Sequence, residues 1–151
     1  MNIGSGTGYP SSSLSNFAGH RFVIDGITCN SMEGFLQSLK FASPEMQEYV
    51  CTLIGKGAKF KGKKKKWFLT QTLYWRGVEI KRDSDEYQLL LNRAFNAMYT
   101  QSESFKNALF ASGKSVLKHS MGKTSQSETV LTISEFCGRL MKLRDNGLLE
   151  E

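Results

Sequence analysis

Between Ser31 and Phe41 the chain reads Ser-Met-Glu-Gly-Phe-Leu-Gln-Ser-Leu-Lys-Phe, and at 3.6 residues per turn this pattern separates into two stripes. Met32, Phe35, Leu36 and Leu39 fall at i, i+3, i+4 and i+7 and form an apolar face. Glu33, Gln37 and Lys40 fall at i, i+4 and i+7 and form a polar ridge of carboxylate, amide and amine. The spacing predicts a helix capped by Ser31. A second helix is expected from Ser43-Pro44-Glu45, with proline in its first turn, through Met46, Tyr49, Val50 and Leu53 to a stop near Gly55. A third begins near Ser84 and carries Tyr87, Leu90, Leu91, Ala94, Phe95 and Met98. Ser104 is expected to start a fourth, with Phe105, Leu109 and Phe110 facing inward and an end at Gly113. Thr132-Ile-Ser-Glu135 starts the last, which carries Phe136, Leu140, Leu143 and Leu148.

Strand signals are fewer. In Arg21–Cys29, Asp25-Gly26 lies between β-branched and apolar residues, which predicts a tight hairpin. Residues 1–13 are rich in Gly and Ser and read as a loop or ordered cap; without a preceding strand their glycines are a weak dinucleotide signal. No repeat and no dividing linker is visible. The expectation is a helix-dominated α+β fold, a single domain over 1–151, with one small sheet near the N-terminus.

Composition narrows the setting. A length of 151 residues suits one core, and 40% hydrophobic with 23% charged residues is ordinary globular material. No apolar run approaches the roughly 20 residues of a membrane span, and no signal peptide is seen, so a cytoplasmic protein is expected. Cys29, Cys51 and Cys137 are scattered, which argues against a disulfide framework or zinc site; His20 and His119 are too few for a histidine metal site. No metal and no cofactor is expected. The net charge of +6 is uneven, because Lys56, Lys59, Lys61, Lys63, Lys64, Lys65 and Lys66 crowd one segment. Such a run is either a solubilising loop or a surface for phosphate-bearing partners. Trp67 and Phe68, directly after it, either stack on a base or anchor the loop to the core. The Glu33 ridge has the same two readings, a solvated helix face or a reaction site.

Three motifs occur in order: Leu14-Ser-Asn-Phe17, the Phe22-x-x-Asp-Gly26 hairpin, and Ser31-x-Glu-x-x-x-Gln-x-x-Lys-Phe41. Together they resemble the NADAR, or YbiA-like, family, and Arg139-Leu-Met-Lys-Leu-Arg144 is similar to its closing helix. The resemblance implies an N-glycosidase that splits a bond between a nitrogen base and a ribose. Two substrate classes go with the family: ADP-ribose on guanine in nucleic acid, and ribosylamino-pyrimidine intermediates of the riboflavin pathway. It implies Glu33 as acid or base, and Lys40 as a group that stabilises the leaving base, binds phosphate, or attacks the anomeric carbon. Asn16, Phe17 and Gln37 then contact substrate or orient Glu33.

The chain also departs from the family pattern. Cys29 stands where many members have an aromatic residue. Lys118-His-Ser-Met-Gly122 stands where many have a Glu-x-Ser and a later Asp-x-x-Trp-Gly. Trp75, within Leu73-Tyr-Trp-Arg-Gly77, is the candidate replacement stacking surface, with core packing as its other reading. Lys61, Lys63, Lys64, Lys65 and Lys66 are the candidate nucleic-acid contacts. The partner is expected to be ADP-ribosylated nucleic acid or a small phosphorylated N-riboside, and a non-catalytic binding module is the reading from another class.

Overall fold

The computed structural model describes residues 1–151. In chain order it has one helical turn Ser11–Leu14 (α1), strands Phe22–Ile24 (β1) and Ile27–Cys29 (β2), helices Met32–Ser38 (α2), Pro44–Cys51 (α3) and Gly55–Lys63 (α4), strands Thr72–Trp75 (β3) and Val78–Lys81 (β4), and helices Asp85–Gln101 (α5), Glu103–Ala111 (α6) and Ile133–Asn146 (α7). The fold is α+β.

The hairpin β1–β2 forms where Asp25-Gly26 predicts it, with Phe22 opposite Cys29 and Ile24 opposite Ile27. Asp25 and Gly26 have φ of 50° and 78°, the positive pair that a two-residue turn needs to match strand twist. A second hairpin, β3–β4, corrects the expectation of one sheet: the two hairpins are separate two-stranded sheets. Its turn uses Arg76 and Gly77 at φ 53° and 83°. Arginine rarely adopts that conformation, so no Asn-Gly or Asp-Gly signature announces the turn.

α2 buries its apolar stripe as its period requires. Met32, Phe35, Leu36 and Leu39 are buried, and Ser31 accepts a hydrogen bond from the Gly34 amide at 3.0 Å. The helix packs between α3 and α4 and reaches α5. Gly34 makes that approach possible: a Cβ there would lie 2.6 Å from the Leu53 carbonyl oxygen, which also accepts from the Ser31 hydroxyl at 3.0 Å.

Several boundaries move. α3 ends at Cys51 rather than near Gly55, because the Thr52 amide and hydroxyl both turn back to the Tyr49 carbonyl. The lysine-rich segment is not a loop throughout; its first part is α4, whose buried Ala58 and Gly62 face inward. Ser102, not Ser104, caps α6. Phe110 is exposed on α6, its ring set edge-on to Tyr99, and Leu148 is exposed beyond the end of α7. Within residues 1–13, Ser11 opens the turn α1, and Asn2 forms a parallel bridge with Lys118. α5 matches expectation, capped by Ser84 and burying Tyr87, Leu90, Leu91, Ala94, Phe95 and Met98. α7 begins with a capping box between Thr132 and Glu135. No helix is long and apolar enough to cross a membrane.

One buried ion pair ties these parts together. Arg82, fully buried, grips Glu135 with two bonds of 3.1 and 2.6 Å and gives its Nε–H to the Thr129 carbonyl at 2.8 Å. Its guanidinium lies 4.8 Å over the Tyr87 ring.

Candidate active site

The polar ridge of α2 is not a solvated face. Gln37 is buried and Glu33 and Lys40 are half-buried, because α4 closes over the ridge. Gly62 permits that closure: a Cβ there would overlap the Gln37 amide. The Gln37 side chain donates to Glu33 Oε2 at 2.7 Å, the i to i+4 contact the spacing predicts. Lys40 lies just past α2, where its amide bonds the Gln37 carbonyl three residues back. The last turn is therefore tightened, and Lys40 is displaced from an ideal α-helical position.

The loop before the first hairpin joins this ridge. The Asn16 carbonyl accepts from the Glu33 amide at 3.0 Å, which sets Asn16 beside the start of α2. Its Oδ1 is buried with no hydrogen-bond partner, and so is Gln37 Oε1. Two orphaned acceptors next to one carboxylate are costly in a fold that pairs its buried polar atoms elsewhere, and they are groups that a bound ligand's donors would satisfy. Phe17 is half-buried against Gly55 at the head of α4, with Lys59 Nζ 6.0 Å from its ring centre.

Charge converges here from across the chain. Burial pushes the Glu33 carboxyl above its usual range, and this outweighs the Gln37 hydrogen bond and the pull of Lys40, Lys59 and His119. Burial lowers the Lys40 ammonium, Lys123 and Lys59 push it the same way, and Glu33 opposes. Glu33 and Lys40 attract, yet neither forms an ion pair. The acid thus keeps its proton to higher pH and the amine loses its proton more readily, the pair of states that proton transfer and nucleophilic attack require.

Sequence spacing brought Glu33, Gln37 and Lys40 together but missed His119, Lys123 and the link to Lys59. The segment carrying His119 and Lys123 is pinned by the N-terminus. The Ile3 amide bonds the Lys118 carbonyl at 2.7 Å, Asn2 and Ser120 exchange bonds of 3.0 and 2.9 Å, and His119 Nδ1 donates to the Ile3 carbonyl at 2.9 Å. That bond places a hydrogen on Nδ1 and leaves Nε2 free of any partner in the chain. These contacts span more than a hundred residues, beyond the reach of local periodicity.

Trp75 is not brought to this group. It packs edge-on to Phe35, with ring centres 5.2 Å apart, and its Nε1–H bonds Asp25 Oδ2 at 2.7 Å, so it belongs to the core under the first hairpin. Strand alternation turns its neighbour Tyr74 the other way, into a cleft beside Lys40. The lysine run divides. Lys64, Lys65 and Lys66 line that cleft, whereas Lys61 lies over Tyr49 and Lys63 is exposed at the end of α4. Trp67 is buried as an anchor, and Phe68 is exposed.

Residues 8–145 match the model of the bacteriophage protein GP30.3 family. The chain belongs to that family. A relative in Enterobacteria phage T4, an uncharacterized 17.1 kDa protein of the Gp30–rIII intergenic region, is 37% identical over 148 residues and 97% of each chain. The NMR structure of E. coli YbiA superposes with a TM-score of 0.63 at 19% identity, over 96% of this chain and 82% of that one. At that identity the likeness establishes a shared fold: this GP30.3-family chain has the YbiA-like architecture.

Proposed function

We propose that the protein is an N-glycosidase that removes ADP-ribose from ADP-ribosylated guanine in nucleic acid. The observation that carries this reading is the pairing of a carboxyl that burial raises above its usual range with an amine that burial lowers below its own, on one ridge and with neither locked in an ion pair. Breaking a base–ribose bond needs a nucleophile at the anomeric carbon and a proton for the departing base. In its neutral form Lys40 Nζ attacks the anomeric carbon. The carbon–nitrogen bond breaks, its electron pair goes to the base, and Glu33 delivers the proton. The sugar ring then opens, its ring oxygen takes a proton from the attached amine, and an imine remains. Water hydrolyses the imine, freeing the sugar and regenerating the amine, with Glu33 as base. Gln37 holds the Glu33 carboxyl, Asn16 meets ribose hydroxyls and Phe17 meets the base. Lys61 and Lys63 to Lys66 draw in the polyanion.

A second reading, a small phosphorylated N-riboside of the ribosylamino-pyrimidine type, is supported by the size of the cleft beside Lys40, about 310 Å³, at the small end of ligand pockets. The test is incubation with guanine-ADP-ribosylated DNA and, separately, with a ribosylamino-pyrimidine phosphate. Release of free ADP-ribose from the first is expected. Release of ribose phosphate only from the second would establish the second reading. Release from neither, with either ligand bound, would make the protein a binding module.

A further inference from the structure

All three ion pairs in the protein use arginine: Arg82 with Glu135, Arg93 with Asp25, and Arg144 with Asp145. Every lysine is left without a carboxylate partner. Most lie on the surface, and three of these, Lys64, Lys65 and Lys66, converge with the half-buried Lys40 on a cleft where the end of α2 meets the segment leading into β3. Its walls include Lys40, Lys64, Lys65 and Lys66, the Thr72 and Tyr74 side chains, and no acidic residue. Lys64 Nζ lies 5.0 Å over the Phe60 ring and Lys65 Nζ 4.9 Å over the Phe41 ring, cation–π contacts that bias where both ammonium groups sit. Lys81 Nζ donates to Thr72 Oγ1 at 3.0 Å and adds a fifth positive charge at the rim. The Tyr74 hydroxyl makes no hydrogen bond within the chain. A strand-to-helix bond, from the Tyr74 amide to the Leu39 carbonyl at 2.8 Å, fixes the cleft directly beside Lys40.

This lining selects its occupant. The Lys64, Lys65 and Lys66 ammonium groups, with Lys40 beside them, repel a cation. A neutral base or sugar would make no use of this concentration of positive charge. An occupant rich in acceptors and negative charge satisfies ammonium and hydroxyl donors together. We propose that the cleft is a phosphate subsite, holding the phosphate or pyrophosphate group of the substrate's sugar while the anomeric carbon lies between Lys40 and Glu33. It separates two roles within one charge run: Lys64 to Lys66 grip a phosphate in the pocket, and Lys61 and Lys63 face outward. The placement of the sugar rests on the N-glycosidase reading, whereas phosphate binding does not depend on turnover.

The test is calorimetric titration of the full chain at about 0.1 M salt, where exposed charges are largely screened, with inorganic pyrophosphate, ADP-ribose, ribose 5-phosphate and adenosine. The three phosphate compounds are expected to bind and adenosine is not. Combined Lys64→Gln and Lys65→Gln should weaken pyrophosphate binding at least about tenfold, the scale of losing charge-assisted bonds. Lys64→Arg with Lys65→Arg should restore it, which separates lost charge from lost folding. Lys61→Gln with Lys63→Gln should change it less than about twofold, the scale of screened surface charges. Tighter binding of ADP-ribose than of ribose 5-phosphate would support a diphosphate occupant, and the reverse a monophosphate. Failure of pyrophosphate to bind, adenosine binding as tightly as ADP-ribose, or equal losses in the two glutamine pairs would overturn the subsite. Pyrophosphate binding without turnover of either N-riboside would keep the subsite and remove the glycosidase reading.

Discussion

Glu33 and Glu135 each stand in the first turn of a helix and are each withdrawn from water, yet their surroundings differ. Glu135 takes two bonds from Arg82, one from Gln88 at 2.7 Å and one from the Thr132 amide at 2.8 Å. Burial alone would raise its carboxyl, but these donors outweigh burial and hold it below the usual range. Glu33 has the Gln37 amide alone, and burial wins, so its carboxyl is raised. Every polar atom of the first cluster has a partner, whereas two buried acceptors beside Glu33 have none. The first carboxylate is completed by the protein and serves the fold. The second is left incomplete by the protein, the state that the proposed substrate would complete. Burial does not distinguish the two carboxyls; the unmet hydrogen bonds beside Glu33 do.

The comparison breaks most severely at Arg82. Arg82→Ala leaves Glu135 buried and unpaired and should cost about 3–5 kcal/mol, read by denaturant unfolding. Replacing both partners together, Arg82→Met with Glu135→Leu, should cost far less, because the loss comes mainly from the stranded charge. Stability equal to that of the unaltered protein in Arg82→Ala would remove the pair as a keystone.

Glu33→Gln should behave in the opposite sense. Turnover of the ADP-ribosylated substrate should fall at least about a hundredfold, the scale of a lost acid/base, while thermal stability stays level or rises. Undiminished turnover would take Glu33 out of the chemistry.

Gly62→Ala carries the contrast into packing. The added methyl overlaps the Gln37 amide and displaces it from Glu33. Turnover should fall about tenfold or more, as expected for a misplaced catalytic group. Gly57→Ala, on the same helix with open space around it, should leave turnover unchanged. Equal turnover in the two variants would show that the α4 approach does not position Glu33.

The smallest effect is on stability against pH, and the two carboxylates should act with opposite signs. Glu135, held low, contributes stability that is complete above the unfolded glutamate value of about 4.3 and is lost as pH falls through its lowered value. Glu33, held high, contributes stability that is complete below the unfolded value and is lost as pH rises through its raised value. Chemical unfolding across pH 3 to 8 should therefore show Glu33→Gln gaining on the unaltered protein as pH rises, and Glu135→Gln losing to it over the same rise. Parallel curves would contradict the assignment.

Much of this was legible in the sequence. The i, i+4, i+7 spacing of Glu33, Gln37 and Lys40, the Asp25-Gly26 turn and the Thr132–Glu135 capping box are local patterns, and local geometry enforces them. The second hairpin was hidden because Arg76 takes a positive φ without a signature residue. Trp75 was ambiguous because its fate depends on Phe35 and Asp25, neither of them near it in sequence. His119 and Lys123 reach the site only because residues 1–3 clamp their segment, a long-range pairing that periodicity does not report. The segment's departure from the NADAR pattern that the chain resembles was visible as a difference in residues, but its place near Glu33 was not. The same holds for the cleft, whose donors come from two separate stretches of chain.

The central claim, that the Lys40 amine is the nucleophile of the incomplete cluster, is tested most directly by reductive trapping. Borohydride added during turnover of guanine-ADP-ribosylated DNA should reduce the imine to a stable amine and leave ADP-ribose covalently on the protein. Peptide mass spectrometry should place the adduct on Lys40. Lys40→Arg keeps the charge but forms no imine readily, and it should give neither adduct nor efficient release of ADP-ribose. Turnover undiminished in Lys40→Arg, with no adduct on either protein, would contradict the account.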